Sequence, residues 1–268
     1  MKIHQLGLLT VNELQKYLQT NQSIIIPYGV VEQHGFHLPL DTDIRNADVI
    51  GLKLAKALDI LVAPTIPYCF SGGMLAGTVN IKPTTFSSLV CDIIESLHLQ
   101  GFRNFIILAG HGGSEVMTHI NETLRIFKWM NPRYHDSLIL TPLMWEYSPT
   151  WVKMFNAQDY HAADAETSLL MYWSPEVVRS KMIIDEEPMF SKMKTDPDAF
   201  QVKTKLSSFR EEIPTTIQSP EVKVGVMGDP FPASAETGKI LDEEMIREMT
   251  PAIRKAIEEA NLSRSSKL

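Results

Sequence analysis

The chain has 268 residues, 44% of them hydrophobic and 21% charged, with a net charge of −7. This is ordinary globular composition, long enough for a large core, and an acidic balance without a Lys/Arg cluster excludes nucleic acid as an expected partner. Cys69 and Cys91 are the only cysteines, so no disulfide framework is expected and a reducing compartment is.

The first twenty residues lack the basic start and apolar stretch of a signal peptide. No run approaches the ~20 apolar residues that span a bilayer. The expected location is therefore cytoplasmic, with no membrane partner. Residues 9–18 predict a short helix, with Thr10 as N-cap and Glu13 three residues on. Residues 24–27, three isoleucines and a proline, predict a buried strand.

Polar groups then crowd together: Glu32, His34, His37, Asp41 and Asp43. Gly35 and Pro39 interrupt them, so a loop rather than a regular helix is expected. A loop leaving the C-terminal end of a parallel strand is where α/β proteins place their chemistry. Clustered carboxylates and imidazoles suit a divalent cation such as zinc, manganese or iron. Glu32 and His34, two apart in an extended segment, point to one face. Asp43 is far enough along for the loop to fold back and close the site.

Residues 46–58 predict a helix and 60–63 a second strand. In the loop that follows, Gly72 and Gly73 fit either a close backbone approach to a ligand or a plain surface turn. Residues 84–99 predict a helix capped by Thr84 or Thr85 and ended by Gly101. Residues 105–108 predict a buried strand that runs into Ala109-Gly110-His111-Gly112-Gly113-Ser114 and a helix over 115–130. His111 is then presented at a strand end beside a helix N-terminus, as a metal ligand would be. The N–H groups of Gly112 and Gly113 are candidates to stabilise a developing oxyanion.

Residues 138–140 predict another strand. Trp145, Tyr147, Trp151 and Phe155 fit a substrate-pocket wall or ordinary packing equally. His161 and Glu166 form a third group. If Asp164 or Ala165 opens a helix, Glu166 lies in its first turn, either as the last carboxylate ligand or as a buried partner behind one. His161, just before that helix, is free to work as acid or base. Residues 175–222 are poor in periodicity and rich in Pro and charge, and are expected to be a surface or interface excursion. A strand and turn over 221–230, a helix over 240–260 and a frayed tail over 263–268 complete the chain. Alternating strands and helices make this an α/β protein.

The motifs carry a resemblance. Pro27-Tyr28-Gly29-Val30-Val31-Glu32-Gln33-His34-Gly35-Phe36-His37-Leu38-Pro39-Leu40-Asp41-Thr42-Asp43 resembles the pattern P-x-G-S-x-E-Q-H-G-P-H-L-P-L-x-T-D of the creatininase (creatinine amidohydrolase) family. Ala109–Ser114 resembles its N-G-H-G-G-N turn, with Ala109 and Ser114 replacing the two asparagines. His161–Met171 resembles H-A-G-x-x-E-T-S-x-M, and the segment from Gly225 to Gly238 resembles G-V-x-G-D-P-x-x-A-x-x-E-x-G. Between residues 67 and 83 only Gly77-Thr78 of the family stretch is kept, and the family's His is missing.

The resemblance implies a single domain, a three-layer α/β/α sandwich with a mostly parallel central sheet. It implies metal ligation at the positions of Glu32, His34, Asp43 and His111, with Asp43 bridging two divalent cations. Some members place a Glu two residues after the glycine-turn His. Gly113 stands there, so Glu166 is the candidate for the remaining ligand. The implied activity is hydrolysis of a non-peptide C–N bond in a small cyclic or linear amide, with His161 protonating the departing nitrogen. Members acting on creatinine carry a tryptophan shortly before the His matching His161, whereas residues 156–160 here have none. Other branches deformylate a formamidopyrimidine or cut a modified peptide, and a catalytically weak metal- or ligand-binding member is the alternative outside catalysis. The resemblance also implies a homo-oligomer, a hexamer.

Overall fold

The computed structural model describes residues 3–184 and 187–266. Four parallel strands form the central sheet in the order β2-β1-β3-β4: β1 (Ser23–Tyr28), β2 (Leu61–Val62), β3 (Asn104–Ala109) and β4 (Leu138–Leu140). All six residues of β1 and all six of β3 are buried. A strand covered on both faces needs apolar side chains on both, which is why the sequence reads as unbroken runs rather than alternation.

The two faces have different partners. Ile24, Ile26 and Tyr28 of β1, with Phe105 and Ile107 of β3, pack against α3 (Pro83–Leu99) and α4 (Ser114–Met130) through Phe86, Val90, Ile94, Val116 and Ile120. Ile25, Ile106 and Leu108 face α2 (Thr42–Leu58), α6 (Asp164–Trp173) and α8 (Ala235–Ser265) through Ile50, Leu54, Leu169, Leu241 and Met245. The result is the expected three-layer α/β/α sandwich. The short helix α1 (Val11–Leu18) starts with the predicted capping box of Thr10 and Glu13.

Several predicted boundaries move. The second helix begins at Thr42, not residue 46, so Asp43 sits in its first turn instead of on a returning loop. α3 opens at Pro83 with no side-chain cap from Thr84 or Thr85; proline fills the first helical position, where no N–H is needed. α8 starts at Ala235, five residues earlier than expected, because the Ser234 side chain accepts from Thr237 N–H. It continues through Ser265, and the last part of the predicted frayed tail, residues 267–268, lies outside the described residues. The strand expected over 221–230 is absent among the described residues. Only Met227 bridges to His161, and Gly225 and Gly228 take positive φ of 74° and 148°, which a strand does not accommodate.

Residues 175–222 contain α7 (Glu187–Met193) and an antiparallel hairpin of β5 (Gln201–Thr204) and β6 (Thr215–Gln218). Met189, Met193 and Val222 bury themselves there in a small cluster beside Leu75, Tyr160 and Met227. A further short helix, α5 (Pro149–Asn156), lies between β4 and α6. Its Trp151 is core, facing the α8 layer, rather than the wall of a pocket.

Candidate metal centre

The cluster forms where β1 and β3 end and α2 begins. Close approach of backbones makes this possible. A Cβ on Gly110 would lie 2.1 Å from Asp43 O, and one on Gly29 would lie 2.6 Å from Ile44 N. Both positions admit only glycine, so the first turn of α2 rests directly on the exits of the two central strands. Asp43 is thereby held between His34 on one side and His111, with Glu32 beside it, on the other.

Every residue of the predicted metal set converges. His34 Nε2 lies 3.2 Å from Asp43 Oδ1 and 3.6 Å from Glu166 Oε2. His111 Nδ1 lies 3.0 Å from Asp43 Oδ2 and 3.2 Å from Glu32 Oε2. Two groups of three thus share Asp43 with a different oxygen in each: Glu32, Asp43 and His111, and His34, Asp43 and Glu166. In each group the candidate atoms lie within 4.8 Å of one another. A third grouping joins His161 to Glu32 and His34, with His161 Nε2 3.9 Å from Glu32 Oε1. Asp164 opens α6, so Glu166 lies in the first turn of a helix, as the sequence reading expects. It projects from the first turn of α6, which the 157–163 loop brings to the sheet edge, and Ala162 N–H donates to its Oε2 at 2.7 Å.

The donor set fits divalent cations. Glu32, His34, Asp43, His111 and Glu166 are all buried, and no lysine or arginine pairs with the three carboxylates among the described residues. Buried charge must be balanced. In the structure as it stands, protons on the imidazoles do this. Burial alone would lower the His34 pKa, but Asp43 and Glu166 beside it push it up to about 10. His111 is raised well above its ordinary value against the same burial, by Glu32 and Asp43. Burial would raise the carboxyl of Glu32, yet His161 and His111 hold it well below the usual range. Burial raises Glu166 in spite of His34 and His161. Glu32 Oε2 is buried and accepts no hydrogen bond, the state of an oxygen oriented toward a cation. Three carboxylates facing three imidazoles is oxygen and nitrogen chemistry without thiolate, suited to zinc, manganese or iron.

A family match covers residues 7–253, by the description Creatinine amidohydrolase. The chain belongs to the creatininase family. The mycofactocin precursor peptide peptidase of Mycobacterium ulcerans (strain Agy99) is 30% identical over 258 residues, 91% of this chain and 90% of that protein. The creatinine amidohydrolase of Pseudomonas putida is 23% identical over 268 residues, 92% of this chain and 95% of its own. A solved structure described as "Creatininase Mn" superposes with a TM-score of 0.77 at 20% identity, covering 95% of this chain and 98% of that one. Family membership supports a hydrolase and a divalent metal, and the α/β/α fold agrees. No described helix is long and apolar enough to cross a membrane.

His161 stands at the solvent side of the cluster. Its Nε2 lies 2.7 Å from the carbonyl oxygen of Gln33. A carbonyl only accepts, so Nε2 carries hydrogen, and this short bond fixes the tautomer although the Gln33 side-chain amide also comes within 3.2 Å. Gly112 is exposed and Gly113 partly so, and neither backbone N–H makes a backbone hydrogen bond among the described residues. Gly72 and Gly73 differ: their N–H groups donate to Asn80 Oδ1 and Ser71 Oγ, so the turn is internally closed rather than open to a ligand.

Two neighbours escaped the sequence reading. His37, whose role the polar cluster does not reveal, is fully buried, with Nε2 2.8 Å from Thr167 Oγ1, tying the Glu32 loop to the start of α6. Ser71 donates to Glu32 Oε1 at 2.6 Å, and a lone serine 39 residues away carries no sequence signal for this. A cavity of about 890 Å³ lies at the opposite end of the strands beside Gln22, Arg103 and Asn261, remote from this chemistry.

Proposed function

We propose that the protein is a metal-dependent hydrolase of a non-peptide C–N bond in a small cyclic or linear amide, using two divalent cations. The observation that carries this reading is the sharing of Asp43 between two ligand groups, one oxygen to each. Glu32, Asp43 and His111 would hold one ion, and His34, Asp43 and Glu166 the other, zinc being the first candidate and manganese or iron(II) the others. Two bound cations supply a water that ionises near neutral pH and a Lewis acid for the scissile carbonyl.

The chain's own residues do the rest. The three carboxylates, once the imidazoles give up their protons, make the site acidic, which favours divalent cations over substrate anions. Gly112 and Gly113 offer free N–H groups at the mouth for the carbonyl oxygen as negative charge develops. His161 holds a proton on Nε2 against a carbonyl that cannot take it. This N–H at the edge of the cluster supports His161 as the general acid that would protonate the departing nitrogen.

Creatinine is not the expected substrate. Residues 156–160 lack the tryptophan that the family resemblance associates with it, and Tyr160 is turned to Phe155, ring centroids 4.8 Å apart. A modified peptide is the second reading, favoured by the 30% identity to a precursor peptide peptidase. The test is metal content by plasma mass spectrometry, wild type beside Asp43→Ala, followed by a panel of cyclic amides, formamides and short peptides. Close to two ions per chain, lost in the variant, with turnover abolished by His161→Ala and metal retained, is the expected result. No metal in the wild type and no change in the variant overturns the reading.

A further inference from the structure

The two oxygens of Glu32 are in different situations. Oε1 accepts a hydrogen bond from Ser71 Oγ at 2.6 Å, while Oε2 is buried without a hydrogen bond and faces His111. The Ser71 hydroxyl accepts from Gly73 N–H at 3.0 Å, so its own proton is committed to Glu32. Asn80 closes the turn around it. Asn80 Oδ1 accepts from the N–H groups of Ser71 at 3.0 Å and Gly72 at 2.9 Å, and its Nδ2 donates to Gly73 O at 2.9 Å. The far side of the turn is tied down as well, where Met74 N–H donates to Gln218 Oε1 of β6. Ser71 itself makes three of these hydrogen bonds, and the others close the turn that holds it over a carboxylate belonging to the site.

We infer that Ser71, clamped by Asn80, is a positioning residue that occupies Glu32 Oε1 so that Oε2 alone is presented to a cation. This rests on the metal reading above. A carboxylate with both oxygens free can rotate and bind through either or both, which spreads its population over several arrangements. One strong donor on Oε1 selects a single arrangement before the cation arrives. Partners that orient a ligating side chain in this way change metal affinity by about 10- to 100-fold. Glu32 is the only one of the three carboxylates held by a residue from the 69–80 loop, so the effect is confined to the ion shared by Glu32, Asp43 and His111.

The experiment measures zinc affinity of the full chain by competition with a chromogenic chelator, for wild type, Ser71→Ala, Ser71→Thr and Asn80→Ala. The visible spectrum of the cobalt(II) form gives a readout of coordination that does not depend on turnover. Ser71→Ala should weaken one of two bound ions by about 10- to 100-fold and alter the cobalt spectrum, Ser71→Thr should restore both, and Asn80→Ala should fall between. Two ions in the wild type, with affinity and spectrum unchanged in Ser71→Ala, overturn the positioning role and leave the metal reading standing. If Ser71→Ala does not fold, Asn80→Ala decides in the same way. A wild type that binds no zinc, manganese or cobalt overturns both.

Discussion

Asp43→Asn isolates the bridging carboxylate, because it keeps the shape of the side chain and removes one acceptor oxygen and the charge. Asp43 Oδ1 faces His34 and Oδ2 faces His111, so asparagine can offer an oxygen to one group and only an amide NH₂ to the other. The wild type should hold two ions per chain and the variant at most one. Without metal, the variant leaves two protonated histidines short of a buried partner, a loss of about 3–5 kcal/mol for a broken buried pair, at the lower end here because Glu32 and Glu166 remain. With metal at ~1,000 times its dissociation constant, each site adds about 4 kcal/mol to the wild type. In a chain of this size each kcal/mol shifts the melting temperature by about 2–4 °C, so chelation should lower the wild-type value by roughly 10 °C or more. Differential scanning fluorimetry with and without chelator, beside plasma mass spectrometry, reads both quantities. A variant that keeps two ions and the full metal-induced rise refutes the bridging argument.

Gly110→Ala should destabilise by about 3 kcal/mol or more, read by urea unfolding, since its Cβ would overlap Asp43 O and force β3 from α2; Gly7→Ala, whose Cβ meets only Pro64 at 3.6 Å, should be near neutral. Asp159 is buried with one oxygen unpartnered, and burial pushes its carboxyl up to about 8 although Ala165 N–H bonds the other oxygen. Its unfolded value is 3.8, so between pH 4 and 8 the unfolded chain is ionised there while the fold is not, and stability falls as pH rises through that window. Asp159→Asn should match wild type near pH 4 and exceed it by roughly 3 kcal/mol or more at pH 8; parallel melting profiles across that range would sink the idea. Because His34 and His111 carry protons that a cation must displace, metal binding at pH 7 should release about two protons and strengthen as pH rises. Calorimetry in buffers of different ionisation enthalpy should show this, and a binding heat independent of buffer contradicts it.

Much of the site was legible because it is written in short, dense segments. Glu32 and His34 follow an unbroken apolar strand, and His111 sits in a glycine turn after another. Each carries its own local signature, and the strands that precede them are buried on both faces, which fixes where their ends must lie. Periodicity likewise gave most of the strands and helices, and the family resemblance implied their arrangement in three layers. Boundaries were less legible where a cap or a proline competes with the apolar pattern, as at Pro83 and Ser234.

The sequence by itself thus determined the layer architecture, the family and the chemical character of five convergent side chains. Only the tertiary structure decided that Asp43 stands on a helix rather than a loop, because that depends on two glycines letting backbones from residues 29 and 110 approach α2. It alone set the first turn of α6, with Glu166, beside His34, and brought Ser71 onto Glu32. These are contacts between residues tens of positions apart. They are set by how layers pack and not by local spacing, so no window of sequence contains them.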